Sequence, residues 1–163
     1  MKKGIIGKIH GIVIDILTKF LVVLSMLITC TVFLNVLSRY ILEISLPWSE
    51  ELARFMFIWL SFIGAVIANA QFSHMRLDFI VEKLPVKTAK VVEGISYLFA
   101  IVLFVFLFIG SLRYTQSQWD WRSSALGIRH GIVYMITPIC FSIMGLQFVA
   151  RFIQLFISDK GEV

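Results

Sequence analysis

The residues best placed to do chemistry are three ionisable groups at the start of an apolar stretch running from Leu46 to Gly64. Glu50 and Glu51 are followed by Arg54, at the separations of four and three residues that bring side chains together on a helix. Pro47 suits the first position of a helix, where its missing N–H leaves nothing unbonded. Carboxylates in the first turn then meet the positive end of the helix dipole. No further Asp, Glu, Lys or Arg follows until Arg76. The chemistry on offer is ion pairing. Read as a solvated cap, such pairs contribute about 0–1 kcal/mol each. Read as a clamp, with Arg39 at the end of the preceding apolar stretch meeting Glu50 or Glu51, they hold two helices or two subunits together. On the residues alone the two readings stand level.

A second set, Arg113, Asp120, Arg122 and Arg129, falls in a polar stretch with Trp119 and Trp121. The two Trp suit the headgroup level of a bilayer. His10, His74 and His130 sit at the ends of apolar runs, the place of interfacial histidines rather than of haem ligands at bundle depth. Cys30 and Cys140 lie inside apolar runs without CxxC or metal spacing and read as small buried hydrophobes. No P-loop, GxSxG, HExxH or dinucleotide fingerprint occurs. In the uncharged cores the polar residues are Ser, Thr, Asn35, Asn69 and Gln147, with Tyr97 and Tyr134. Without Asp, Glu, Lys or Arg at that depth, neither a proton relay nor an ion site is evident. Paired broken helices of the transporter kind are not evident either. The expectation is a chain with no catalytic residues, no metal and no cofactor.

Composition decides what positions these residues. Of 163 residues 59% are hydrophobic and 15% charged, and the mean hydropathy is +0.90. Soluble domains are closer to half apolar and a quarter charged. Fifteen Phe and four Trp exceed what a soluble core of this size would hide. The class is an all-α integral membrane protein. A net charge of +5 does not point to nucleic acid, because the basic residues stand at the ends of apolar segments, where membrane topology accounts for them.

The chain is expected as one membrane domain, 1–163. Residues 1–19 form an interfacial helix, with Ile5, Ile9, Ile12 and Ile16 on one face. Lys2 and Lys3 before an apolar run imitate a signal peptide, but the run is long enough to span and no A-x-A site follows. The first transmembrane helix is about 20–38 and the second about 47–72. An amphipathic loop, 73–93, mixes Leu77, Phe79 and Ile80 with charges and lies at the surface. The third helix is about 94–112, a loop covers 113–130, and the fourth helix is about 131–157, kinked by Pro138. With the N-terminus inside, the inner side carries ten Lys and Arg and the outer side five. Both termini are therefore expected in the cytoplasm. The Glu50–Arg54 motif and the Trp119–Arg129 loop then face outward.

Arg39-Tyr40, Trp48-x-Glu50-Glu51-x-x-Arg54, Phe57-x-Trp59, Gly64-Ala65, and His74-x-x-x-Asp78 with Leu84-Pro85 resemble the small membrane subunit of tripartite ATP-independent periplasmic (TRAP) transporters, the DctQ- and SiaQ-like family. The likeness covers nearly the whole chain, and the W-x-E-E-x-x-R stretch after R-Y is its most specific part. Met75 stands where the family's motif has Ile.

The resemblance implies a bacterial inner-membrane subunit without a transport site of its own. It implies two partners. One is a large multi-helix subunit that holds substrate and sodium and moves as an elevator; the other is a soluble periplasmic substrate-binding protein. The imported substrates are organic acids such as C4-dicarboxylates or sialic acids. The small subunit braces the large one and helps to dock the binding protein, with Arg113, Asp120, Arg122 and Arg129 as docking candidates. Helices 2 and 3, rich in Phe, offer the seam. Two rivals stand beside this reading: the anchor subunit of a membrane oxidoreductase, and a small transporter acting as a homo-oligomer.

Overall fold

The computed structural model describes residues 2–71 and 86–158. Their helices are α1 (Lys2–Ile41), α2 (Pro47–Gln71), α3 (Val86–Ser117), α4 (His130–Tyr134) and α5 (Ile136–Ser158). Among the described residues four stretches are long and apolar enough to cross a membrane: Gly11–Ile41, Pro47–Gln71, Val91–Ser117 and His130–Leu155, the last running through α4 and α5. Among the described residues the β-type pairing is a single isolated bridge between Arg122 and Arg129. The architecture is all-α and membrane-spanning.

α2 starts at Pro47, where the proline and the acidic first turn place it. α1 differs from the expected division at residue 19, because its helix is continuous from Lys2 to Ile41. At 1.5 Å per residue it is about 60 Å long, twice the hydrocarbon thickness of about 30 Å. Its polar start and its apolar span are one rod. α3 likewise begins at Val86, ahead of the apolar run expected from residue 94, and ends at Ser117. Charge marks where lipid ends, and a helix continues past that point. The stretch expected as an amphipathic loop is therefore helical over 86–93, and its remainder lies outside the described residues.

The fourth span is interrupted at Met135, whose backbone stays helical (φ −55°, ψ −25°), one turn ahead of Pro138. Pro138 is the third residue of α5, in a first turn where a missing N–H is tolerated. Its ring disfavours a helical carbonyl four residues earlier, at Tyr134, where α4 stops.

The chain divides into two compact units, one within Met1–Ile67 and Thr115–Ile136, the other within Ala68–Tyr114 and Thr137–Val163. In the first, Leu24, Phe55, Ile63, Val66, Ile67 and Val133 are buried. Gly64 leaves room for Leu21, whose Cδ1 is 3.8 Å from where a Cβ would stand. Over residues 11–41 of α1 only Leu24 and Ser38 are buried. In the second unit the Phe104 ring is 5.3 Å from Phe148 and 6.4 Å from Phe141 between centroids. The absent side chain of Gly145 lets Phe104 approach, its Cβ lying 3.5 Å from the position a glycine Cβ would take. Small residues of this kind let membrane helices pack closely.

Candidate functional site

The connection between α1 and α2 is tight because Ser38 closes it. Ser38 accepts at its carbonyl from the N–H of Leu42 (3.1 Å) and of Ile44 (3.2 Å), and its hydroxyl donates to the Ile44 carbonyl at 2.9 Å. Glu43 takes a left-handed backbone, φ 56°, which an L-residue adopts at a cost of roughly 1 kcal/mol. Ser49, fully buried, donates its hydroxyl to the Leu46 carbonyl at 2.7 Å. These bonds start α2 with Glu50 exposed and Glu51 turned inward and partly buried.

Glu51 is the centre of the site. Its carboxylate accepts the hydroxyl of Ser123 and the backbone N–H groups of Ser124 (3.0 Å), Ala125 (3.1 Å) and Leu126 (3.1 Å). Successive N–H groups aimed at one point make a concave anion receptor, and a carboxylate, acceptor-only when ionised, satisfies all four donors. The turn closes on itself as well. The Gly127 N–H donates to the Ser123 carbonyl at 3.1 Å and the Leu126 N–H to Ser123 Oγ at 3.1 Å. Gly127 supplies the positive φ of 67° that the turn needs.

Below this tip the strands pair briefly. The Ser123 N–H donates to the Ile128 carbonyl and the His130 N–H to the Trp121 carbonyl, both at 2.9 Å, leaving Arg122 opposite Arg129. Gly131 follows under Trp119, so close that a Cβ there would lie 2.9 Å from the Trp119 Cα. The carbonyls freed at the helix break are taken by side chains. The Trp59 indole N–H donates to Val133 O at 3.1 Å, and the Thr115 hydroxyl donates to Tyr134 O at 3.3 Å. The His130 ring meets Phe55 edge-on with centroids 5.7 Å apart.

The second unit holds a polar cluster of another kind. The Asn69 amide donates to Gln147 Oε1 at 2.6 Å. Arg151 donates to Asn69 Oδ1 at 3.3 Å and, through Nη2, to the Asn69 carbonyl. Its guanidinium carbon stands 5.0 Å from the centroid of the Phe148 ring, a cation–π contact. Tyr97, buried, donates its hydroxyl to Glu93 at 2.7 Å.

The ion-pair clamp expected of Arg39, Glu50, Glu51 and Arg54 does not close within the described residues, where Asp15–Lys19 is the one salt bridge. The physical reason is that the loop supplies Glu51 with four donors. Arg39, Tyr40, Trp48, Glu50 and Arg54 are exposed. Trp59 has the capping role given above. Arg113, Asp120, Arg122 and Arg129 are all exposed, and the bridge brings two of them together. His74 and Asp78 lie outside the described residues. Cys30 is exposed and Cys140 buried, both as free thiols. Among the described residues no group of acidic, His or Cys side chains could hold a metal.

The loop turn, the Trp59 cap and the Asn69–Gln147–Arg151 cluster were missed by sequence reasoning. Ser123-Ser124 ahead of Gly127 is the one letter-level signal of the turn.

Residues 28–157 match the family described as tripartite ATP-independent periplasmic transporters, DctQ component. A Haemophilus influenzae protein bearing the name TRAP transporter small permease protein is 28% identical over 138 residues, 84% of this chain and 86% of that protein. The ectoine TRAP transporter small permease protein TeaB of Halomonas elongata is 28% identical over 148 residues, 90% of this chain and 77% of TeaB. The isethionate TRAP transporter permease protein DctMQ of Oleidesulfovibrio alaskensis is 31% identical over 106 residues, 61% of this chain but 16% of that longer protein.

Proposed function

Because the chain belongs to the DctQ component family of the tripartite ATP-independent periplasmic transporters, a family of transporter subunits and not of enzymes, we propose that it is the non-catalytic brace of a sodium-coupled importer of organic acids, of the C4-dicarboxylate or sialic acid type. Its partners are a large multi-helix membrane subunit and a periplasmic substrate-binding protein. The matching stretch of the isethionate relative is a small part of a longer permease, which supports a large partner. The relatives' names carry different substrates, ectoine and isethionate, in keeping with a substrate site carried by another subunit.

The observation that carries the brace reading is where the polar bonds of this chain go. Glu51, Trp59, Thr115, Asn69 and Arg151 are each spent on holding parts of the chain itself. α1 meanwhile offers its apolar length outward, with Met26 62% and Phe33 60% exposed. A surface of that kind is covered by lipid or by another membrane subunit. The exposure of Phe57, Phe99 and Phe106 supports a seam to the large subunit on α2 and α3. Arg39, Glu50 and Arg54 are available to clip it.

With both termini in the cytoplasm, the 118–129 loop faces the periplasm, where the binding protein arrives, and Arg113, Asp120, Arg122 and Arg129 help to dock it. Uptake by reconstituted complex, compared with the large subunit alone, tests the brace: full-rate transport without this chain removes it. Labelling a Ser45→Cys variant tests the orientation, with reaction expected from the periplasmic side.

A further inference from the structure

Arg122 and Arg129 stand opposite each other in a bridge whose hydrogen bonds run between their neighbours, Ser123 to Ile128 and His130 to Trp121. This is the non-hydrogen-bonded type of antiparallel pair, with Cα atoms about 4.5 Å apart and both side chains on one face. Like charges directly opposite each other are destabilising. Both residues are exposed, and neither makes an ion pair with a described residue. Asp120, two residues from Arg122, does not neutralise either of them. The repulsion is nevertheless held in place by four bonds on Glu51 and by the turn at Gly127.

We propose that Arg122 and Arg129 form a preorganised two-pronged receptor for carboxylate side chains on the periplasmic substrate-binding protein, aimed by the Glu51-anchored turn. The inference rests on the docking reading above and narrows it to one pair and one partner chemistry. Two guanidinium forks on one face match carboxylates in geometry as well as charge. An anion between them also removes their mutual repulsion, so binding is coupled to relief of a cost already present in the free chain. The rigid mounting favours a protein over a lipid headgroup. A folded surface gains from a partner whose backbone is already fixed, because less freedom is lost on binding. Docking of this kind acts on encounter and register more than on assembly in the membrane.

The test uses the complex of this chain with its large subunit in proteoliposomes, with uptake measured as the binding protein is titrated. Arg122→Glu with Arg129→Glu is expected to raise the half-saturating concentration of binding protein about ten-fold or more, while co-purification with the large subunit stays at the unsubstituted level. Changing the facing acidic residues of the binding protein to Lys is expected to restore it. Arg122→Lys with Arg129→Lys keeps the charge and loses the fork, and is expected to raise it about three-fold. If the Glu pair fails to assemble, the Lys pair decides, and an unchanged half-saturation overturns the proposal.

A rise seen in phosphatidylglycerol vesicles but abolished in phosphatidylcholine vesicles also overturns it, because the ligand is then the lipid headgroup. If Arg113→Glu raises the half-saturating concentration while neither pair does, docking at this end of the spans stands and the two-pronged receptor falls. If none of these variants moves it, both fall.

Discussion

Glu51 in the first unit and Arg151 in the second each carry a full charge beside an apolar span, and each is met by neutral dipoles instead of a counterion. Glu51 has a hydroxyl and three main-chain N–H groups. Arg151 has a side-chain amide oxygen, a main-chain carbonyl and the face of Phe148. The two differ in what they organise. Glu51 shapes a loop that has little regular structure of its own, so the carboxylate is the scaffold. Arg151 joins residues already placed on two helices, with Gln147 completing the set through Asn69, so the guanidinium is a fastener. Counting bonds, the loop depends on its charge more than the helices depend on theirs.

Removing each charge sharpens that contrast. Glu51→Ala leaves four donors without their acceptor, and is expected to lower the unfolding temperature more than any change at Arg151. Thermal unfolding in detergent measures it, and amide exchange at residues 124–126 should quicken at least about ten-fold. Unchanged exchange there would show that the turn stands without Glu51. Arg151→Met keeps apolar contact with Phe148 but leaves two oxygens of Asn69 without this donor, and is expected to cost about 2 kcal/mol. A cost equal to or above that of Glu51→Ala would break the ranking of scaffold over fastener.

Arg151→Lys retains the cation and loses the planar fork. A loss of about 1 kcal/mol is expected, and no loss would mean that charge on Phe148 matters more than the bonds to Asn69. The smallest effect has the opposite sign. Glu43→Gly relieves a left-handed backbone, offset by the greater freedom of glycine in the unfolded chain, and should stabilise by about 0–0.5 kcal/mol. It touches neither charged centre, so a change in loop exchange after it would reveal coupling that the contrast does not contain.

The membrane class, the four spans and the start of α2 were legible because they rest on composition, on runs of apolar residues and on a proline before two glutamates. The continuity of α1 was not, since the pattern of charge reports where lipid ends and says nothing about where a helix does. The disturbance expected from Pro138 shows at Met135, because proline acts on the carbonyl four residues earlier. Glu51 was singled out for its charge, but its partner was sought among arginines. A carboxylate is satisfied by any donor, and main-chain N–H groups have no letter. The same blindness hid Trp59 on Val133 O. Nothing in the letters ties Arg151 to its partner, an uncharged amide 82 residues away.

Three of the four bonds that hold the turn address the main chain of Ser124, Ala125 and Leu126. The anchor therefore reads the path of the chain and ignores its spelling. Those three positions are open to substitution as long as their N–H groups remain, which excludes proline alone outright, whereas inserting or deleting one residue between 123 and 127 would move every donor off the carboxylate. Length is the constrained quantity here: positions 124 to 126 can change their side chains and keep the shape, provided that Ser123 and Gly127 keep their places.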